Sequence, residues 1–148
     1  MIVRQVTLRD VRSYASLELA LEPGLVLVTG PNGAGKTNLL ESVHVATQGF
    51  SFRTRQGARE NAVEVRAARG GAALDHHQPV GREDQGVDLP PLLLLDDALS
   101  ELDADRRRLL SARLGTVGQT LVTATGAEAL PLAPAQLLAV SPGTVREA

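Results

Sequence analysis

Alternating apolar and polar residues predict half-buried strands at the start of the chain and beyond its first helix. The segment SLELALE, residues 16–22, places Leu17, Leu19 and Leu21 on one face and small or acidic residues on the other. Successive side chains of a strand point to opposite faces, so this pattern is typical of a strand with one buried face. The second half of 2–8 and the segment NAVEVRA, 61–67, alternate in the same way.

Three short segments predict buried strands, and the first of them is almost wholly apolar, as expected of a strand buried on both faces. They are LVLVT (25–29), LLLLDD (92–97), which ends in two carboxylates, and QTLVTAT (119–125). The chain is predicted to close with an edge hairpin built from QLLAV (136–140), a Pro142-Gly143 turn and TVRE.

Two helices are predicted between these strands. Asp103 is a suitable cap for a helix over 104–114, with Gly115 as its stop. The first helix follows a glycine-rich loop and has its apolar face formed by Leu39, Leu40, Val43 and Ala46. Strands that alternate with helices predict an α/β fold with a mixed, mostly parallel sheet.

Residues 70–91 show neither the strand nor the helix period and are rich in Gly, Pro and Asp. A structureless loop of this length is uncommon inside a compact domain. We therefore predict three parts: 1–69, 70–91 as an irregular linker, and 92–148.

Composition narrows the function classes. The 148 residues include only three aromatic ones, so a base-stacking platform for single-stranded nucleic acid is not expected. The net charge of −2 provides no global field toward DNA. Cysteine is absent, which excludes disulfides and thiolate chemistry and fits a reducing cytoplasm. No apolar run has membrane-spanning length and no signal peptide is expected, so we predict a cytoplasmic protein without a membrane partner.

The glycine-rich loop carries the strongest chemical signal. Gly30-x-x-x-x-Gly35-Lys36-Thr37 matches the phosphate-binding loop pattern, with a buried strand before it and a helix after it. Glycines let successive backbone N–H groups point at phosphates, and the helix N-terminus favours the same anion. The ammonium of Lys36 can reach the β- and γ-phosphates, and the Thr37 hydroxyl is a ligand for the bridging Mg²⁺. The alternative is a glycine-rich turn with an incidental lysine.

Asp96 and Asp97 follow four leucines, so a buried strand would deliver both carboxylates to the C-terminal edge of the sheet. The first carboxylate can hold magnesium, and the second can orient or deprotonate an attacking water. Alternatively, Asp97 is a solvated loop residue beside a magnesium ligand.

The motifs PNGAGKTNLLES (31–42) and LLLLDDALSELDADRRRLL (92–110) resemble the RecF family of ATP-binding-cassette ATPases, which is related to SMC-type heads. The opening residues 8–25, the segment ATQGFSFRT (46–54) and the last strands are similar to the same family. The resemblance covers about 1–70 and 87–148.

The resemblance implies ATP and Mg²⁺ as cofactors. Asp96 would help hold magnesium, Asp97 and Lys36 would be catalytic, and Arg12 would lie near the nucleotide. Residues 100–103 look like the D-loop, which crosses to the partner in an ATP-bound dimer. The nucleotide-binding set would be Gly30, Pro31, Asn32, Gly33, Ala34, Gly35, Lys36, Thr37 and Asn38, with Arg12.

The sequence departs from the family in length, because RecF chains are more than twice as long. The missing part falls between about 71 and 86, where an arm domain and a signature motif are expected, so the family resemblance predicts an internal deletion. No histidine follows the strand LVTAT, and Gln48 lies too close to Lys36 for a Q-loop glutamine.

Weaker signals are found among the arginines and histidines outside these motifs. Arginines in 53–69 indicate either contacts to DNA phosphates or a solvated surface. Arg106, Arg107 and Arg108 are expected on a solvated helix face. His76-His77 lacks a third metal ligand at suitable spacing, and His44 is expected to be packed or solvated.

The leading hypothesis is an ATP-binding DNA replication and repair protein of RecF type and, if active, a weak Mg²⁺-dependent ATPase. The resemblance implies binding to DNA at single-strand gaps or junctions, RecR-type and RecO-type mediator partners, an ATP-dependent homodimer and a place in the SOS response to DNA damage. One alternative is a nucleotide-binding remnant with little hydrolysis or DNA affinity. A small P-loop kinase is another.

Overall fold

A computed structural model describes residues 2–48, 62–69, 72–74, 91–114, 116 and 118–148, with backbone alone for 62–69 and 72–74. The described residues form nine strands, two α-helices and a 3₁₀ turn at Ala127–Ala129. The strands are β1 (Ile2–Val11), β2 (Tyr14–Ala20), β3 (Leu25–Thr29), β4 (Ala62–Arg69), β5 (Ala72–Leu74), β6 (Leu92–Leu95), β7 (Gln119–Ala124), β8 (Gln136–Ser141) and β9 (Thr144–Glu147). The helices are α1 (Lys36–Gln48) and α2 (Ala104–Leu114).

A five-stranded sheet in the order β6-β7-β3-β8-β9 forms the centre of the fold. The strands β6, β7, β3 and β8 run parallel, and only β9 is antiparallel to its neighbour. The prediction of an α/β fold with a mixed, mostly parallel sheet is therefore confirmed. The closing hairpin also forms, but β8 is an interior strand and only β9 lies at the edge.

A second sheet, which the sequence did not predict as separate, is antiparallel with the order β2-β1-β4-β5. The alternating segments near the start of the chain form β1 and β2 of this sheet, and their apolar side chains, among them Leu8, Leu17 and Leu19, are buried. The short strand β5 lies inside 70–91, the stretch predicted as irregular. The three-part division of the chain stays a prediction, because most of that stretch lies outside the described residues.

Apolar side chains pack on both faces of the five-stranded sheet. On one face, Val26, Val28 and Leu121 meet α1 and the antiparallel sheet. On the other face, Leu27 and Val122 meet Leu99, which is completely buried, and Leu114 of α2. This two-faced burial explains why residues 25–28 of β3 are all apolar and why every residue of β7 is buried, its polar ones included.

The strand β6 corrects the sequence prediction in two respects. It ends at Leu95, before the aspartates, and its four leucines are only half-buried. Its position at the edge of the sheet leaves it with one neighbouring strand, β7, within the described residues.

Two buried glutamines join the two sheets. The side-chain amide of Gln119 in β7 accepts a hydrogen bond from the Val3 N–H (2.7 Å) and donates to the carbonyl oxygens of Val3 and Glu22 (both 2.8 Å). Gln136 in β8 accepts from the Glu22 N–H (3.1 Å) and donates to the Ala20 carbonyl (3.2 Å). A primary amide can pair like a peptide group, so each glutamine continues the hydrogen bonding of one sheet into the other.

Helix α2 begins as predicted. Asp103 Oδ1 accepts a hydrogen bond from the Arg106 N–H at 2.8 Å, the bond of an N-cap. The predicted stop, Gly115, lies outside the described residues. Within the described part of the chain, no helix has both the length and the apolar character needed to cross a membrane.

Candidate functional site

The two sequence motifs meet at one edge of the five-stranded sheet. Strands β3, β6 and β7 are parallel, so their C-terminal ends lie at the same edge. The glycine loop, residues 30–35, follows β3, and Asp96 follows β6. This edge is where open α/β sheets generally bind ligands.

Glycine is required at two positions of the loop for steric reasons. A Cβ at Gly30 would lie against the carbonyl oxygen of Val140 in β8, closer than real Cβ atoms come. At Gly35, where φ is +111°, a Cβ would lie 2.9 Å from Ser13 Oγ and 3.0 Å from the Tyr14 hydroxyl oxygen. The loop is thus shaped by close packing against β8 and against the β1–β2 turn.

The ammonium of Lys36 folds back onto the loop that precedes it. Its Nζ donates hydrogen bonds to the carbonyl oxygens of Gly30 (2.6 Å) and Pro31 (3.0 Å), and the residue is only 8% exposed. An ammonium carries three donor protons, so one proton remains for an anion held by the loop. Lys36 is also the first residue of α1, whose N-terminal end has partial positive charge.

Thr37 and Asp96 connect the two motifs directly. Thr37 Oγ1 donates a hydrogen bond of 2.8 Å to Asp96 Oδ2, although the residues are 59 positions apart. The Thr37 hydroxyl oxygen and the Asp96 carboxylate oxygen, 2.8 Å apart, are suitable neighbouring ligands for a hard divalent cation such as Mg²⁺. That ion usually takes one or two protein ligands and obtains the others from water and phosphate.

The Asp96 carboxylate is held from its other side by Thr123 of β7. Thr123 Oγ1 donates to Asp96 Oδ1 at 2.7 Å and accepts a hydrogen bond from the Asp97 backbone N–H at 2.8 Å. Both oxygens of the Asp96 carboxylate therefore accept hydrogen bonds from threonine hydroxyls, one from Thr37 at the start of α1 and one from Thr123 of β7.

Asp97 has an unusual backbone. Its φ of +50° lies in the left-handed region, which non-glycine residues enter rarely. Its carbonyl accepts bonds from the Ser100 hydroxyl (2.8 Å) and the Ser100 N–H (3.3 Å). Asp97 is exposed, and no hydrogen bond or ion pair of its carboxylate is found within the described residues.

The turn between β1 and β2 lies over the loop and the first turns of α1. Arg12 donates to Glu41 Oε1 at 3.1 Å, Asn38 Nδ2 donates to Ser13 Oγ at 3.1 Å, and the Tyr14 hydroxyl donates to the Gly35 carbonyl at 3.1 Å. Arg12, predicted from family resemblance to lie near the nucleotide, is thus anchored to α1 close to the loop. Its side chain is 41% exposed and its φ of +54° is left-handed.

Tyr14 is buried beneath this turn. Burial raises the pKa of the Tyr14 phenol to about 12, because desolvation penalises the phenolate. The hydroxyl is therefore neutral at ordinary pH and available as the donor to Gly35.

The weaker signals have mixed outcomes. Arg106 and Arg108 are exposed, as predicted, and pair with Asp103 and Asp105. Arg107 is half-buried instead, and its guanidinium donates a hydrogen bond of 3.1 Å to the Leu102 carbonyl.

The other weak candidates lie in the predicted D-loop and in α1. Ser100, Glu101 and Asp103 of the predicted D-loop are exposed. Gln48 is the last residue of α1 and is exposed, whereas His44 of the same helix is half-buried.

Other predictions lie outside the described residues. These are the roles of His76-His77, of Arg53, Arg55 and Arg59, and of the stretch expected to lack a signature motif. The side chains of Arg66 and Arg69 in β4 are likewise not described.

Sequence reasoning missed Ser13, Tyr14 and Thr123, three of the residues that shape this site. One signal was available for Thr123, because it is a hydroxyl residue near the end of a strand that the sequence predicts to be buried. The signal points to the site only when β7 is known to lie beside β6, and the sequence pattern alone does not determine strand order. Ser13 and Tyr14 carried no comparable signal.

A glycine loop between a parallel strand and a helix, facing an aspartate that follows another parallel strand, defines a P-loop NTPase head of the α/β class. Comparison with known proteins agrees. Residues 5–85, more than half of the chain, match the family model described as "AAA domain", and the chain belongs to this family.

Known relatives confirm the resemblance to RecF. The chain is 47% identical over 55 residues to the DNA replication and repair protein RecF of Stenotrophomonas maltophilia (strain R551-3). This alignment covers 37% of this chain and 15% of that protein. The alignments with curated RecF relatives span only between 14% and 21% of the relatives' length.

Solved structures show the same fold. A structure of the recombination mediator protein RecF-ATP in the RecFOR pathway matches with a TM-score of 0.71 at 11% identity, covering 99% of this chain and 97% of that chain. The SMC head domain from Thermotoga maritima matches with a TM-score of 0.56 at 13% identity, covering 100% of this chain and 98% of that chain. The chain therefore has the ATPase-head fold of the RecF and SMC type.

Proposed function

We propose that this chain binds ATP with Mg²⁺ at the edge formed by residues 30–37 and Asp96, and that it serves DNA replication and repair in the manner of RecF. The observation that carries the proposal is the 2.8 Å hydrogen bond between Thr37 and Asp96. It joins the only two motifs of the sequence that suit a nucleotide and its metal.

Each residue of the proposed site binds phosphate, metal, water or nucleotide. The backbone N–H groups of the loop and the Lys36 ammonium bind phosphate, and Lys36 uses the proton that its bonds to Gly30 and Pro31 leave available. Thr37 and Asp96 hold Mg²⁺, which neutralises phosphate charge when bound. Asp97 orients the attacking water, because its exposed carboxylate follows directly on Asp96. Arg12 contacts the nucleotide from the β1–β2 turn.

The role in DNA repair rests on the RecF relatives and on the RecF-ATP fold. We propose DNA with single-strand gaps or junctions as the macromolecular ligand, RecR-type and RecO-type mediator proteins as partners, and the cytoplasm as the location. The chain's net charge of −2 means that DNA binding must use a local basic surface and not a global field.

Titration calorimetry with Mg-ATP tests the nucleotide site. We expect binding in roughly the micromolar range by the wild-type chain. Lys36→Ala should weaken it by about 10- to 150-fold, the equivalent of about 1.5–3 kcal/mol for hydrogen bonds to a charged group. Asp96→Asn should lose the Mg²⁺ dependence while it keeps weak binding to ATP alone. A folded wild-type chain that does not bind Mg-ATP would refute the proposal.

A second readout uses the fact that Lys36 is the only lysine of the chain. An amine-acylating reagent can modify only Lys36 and the N-terminal amine. Mass spectrometry of the resulting peptides should show that Mg-ATP protects Lys36, whereas the N-terminal amine, as the internal control, reacts at the same rate with and without nucleotide. Modification of Lys36 that is measurable without nucleotide and equal with it would place the nucleotide elsewhere.

DNA binding is tested by fluorescence anisotropy with gapped and fully duplex DNA of equal length. We expect ATP-dependent binding that is tighter for the gapped substrate and is lost in Lys36→Ala. Binding that is equal for both substrates and independent of ATP would contradict the RecF-type role and leave a nucleotide-binding protein.

A further inference from the structure

The two strands that carry the site motifs are not neighbours. Strand β7 lies between β3 and β6, so the glycine loop and the aspartates are separated by two strand spacings, about 10 Å. A carboxylate after β6 must therefore reach across the end of β7 to meet Thr37. A side chain on β7 that supports it would determine where its oxygens point.

Thr123 is placed to do this. It is the second-last residue of β7, is completely buried, and belongs to the strand between the two motifs. Its hydroxyl has one proton, which it donates to Asp96, and it accepts the Asp97 N–H. The direction of both bonds is thereby fixed, since the single proton cannot serve a second acceptor.

The backbone of β6 explains why a side chain is needed here. The paired register of β6 and β7 ends at Leu95 and Val122. Beyond that pair, the Asp97 N–H bonds to the Thr123 hydroxyl and not to a backbone carbonyl, and the chain turns into the left-handed conformation of Asp97. Ser100 holds the carbonyl of the same residue, so Asp97 is fixed at both of its backbone groups.

We propose that Thr123 is a positioning residue for both aspartates: its hydroxyl aims the Asp96 carboxylate at Thr37 and the metal, and it holds Asp97 in its left-handed turn. The inference rests on the proposed function. Removing a group that hydrogen-bonds to a metal ligand and orients it typically lowers metal affinity by about 10- to 100-fold.

Three variants separate this role from a general contribution to stability. Thr123→Val keeps the branched shape and removes the hydroxyl, whereas Thr123→Ser keeps the hydroxyl. Thr120→Val is the matched control, because Thr120 is also a fully buried threonine of β7, about 10 Å away at three residues' distance along the strand. Its hydroxyl bonds to the Leu114 carbonyl, outside the site.

The first measurement is the Mg²⁺ concentration required for half-maximal ATP binding. We expect it to rise about 10- to 100-fold in Thr123→Val and to stay near the wild-type value in Thr123→Ser and Thr120→Val. ATP binding without metal should not change in any of them. An unchanged Mg²⁺ requirement in Thr123→Val would overturn the inference, whereas loss of Mg-ATP binding by the wild-type chain would overturn the proposed function.

The second measurement needs neither nucleotide nor metal. Hydrogen exchange of the Asp97 amide, followed by NMR, should accelerate in Thr123→Val because the N–H loses its acceptor, and it should remain slow in Thr123→Ser and Thr120→Val. Wild-type exchange in Thr123→Val would show that the hydroxyl does not hold Asp97. Acceleration of all β7 amides together would instead indicate general destabilisation and count against a positioning role.

Discussion

At the scale of single residues, the β1–β2 turn links the glycine loop to the core through Tyr14. The phenol is buried and donates to the carbonyl of Gly35, the last glycine of the loop. Gly35 in turn has no room for a Cβ against Ser13 and Tyr14. The loop therefore owes its shape to side chains that the glycine pattern does not reveal.

Titration of Tyr14 tests this burial. The chain has one tyrosine and no tryptophan, so the phenolate absorbance in the near ultraviolet reports Tyr14 alone. We expect an apparent pKa of about 12 in the folded protein and an ordinary value near 10 in urea. A folded-state pKa equal to the value in urea would mean that the phenol is solvated.

The same shift makes stability depend on pH in a defined window. Between about pH 10 and pH 12 the unfolded chain loses the Tyr14 proton while the folded chain keeps it. The free energy of unfolding should therefore fall as the pH rises through this window, and Tyr14 should contribute no pH dependence below it. Denaturant melts at several pH values check this, and Tyr14→Phe should lack this component of the slope.

At the scale of elements, the junction of the two sheets depends on the side-chain amides of Gln119 and Gln136. Gln119 is completely buried and satisfies three backbone groups, whereas Gln136 satisfies two at longer distances. Buried backbone groups are costly to leave unpaired, so the amides stabilise the contact between strands of different sheets.

Replacing Gln119 by leucine should destabilise the fold strongly. The cost is about 1–3 kcal/mol for each backbone group left unpaired, and three groups lose their partner. We expect urea denaturation to show a loss above about 2 kcal/mol. Gln136→Leu is the comparison variant and should cost less. A Gln119→Leu protein as stable as Gln136→Leu would show that the third hydrogen bond and the complete burial of Gln119 add no stability.

At the scale of the whole molecule, the question is whether one chain suffices for turnover. The segment 100–103 follows the site aspartates, and its Ser100, Glu101 and Asp103 are exposed at the surface. The family resemblance predicts that this segment crosses to a partner subunit in an ATP-bound dimer. The RecF-type proposal therefore includes an ATP-dependent homodimer.

Turnover per molecule should consequently rise with protein concentration and rise further with gapped DNA. Steady-state phosphate release over a wide range of chain concentrations checks this, with Lys36→Ala as the inactive control. A turnover that is low and independent of both concentration and DNA would support the alternative of a nucleotide-binding remnant. Transfer of labelled phosphate to a small acceptor would instead support the kinase alternative.

Sequence by itself determined most of the elements. Helix α2 with its cap and the strands β3 and β7 were predicted close to their observed bounds, and α1 was predicted directly after the glycine loop, because the physics that fixes these elements is local. Periodic burial, a capping carboxylate and glycines at special backbone angles act over a few residues. The fold class followed from these elements, and the roles of Lys36, Thr37, Asp96 and Asp97 stay predictions.

Tertiary structure alone decided how the elements meet. It separated the antiparallel strands into their own sheet, set β7 between β3 and β6, and left β6 half-buried at an edge. Thr123, Tyr14 and Gln119 acquire their importance from contacts across 27, 21 and 116 residues of sequence. Strand order and register depend on packing of the whole core, so a local pattern cannot predict contacts at such separations.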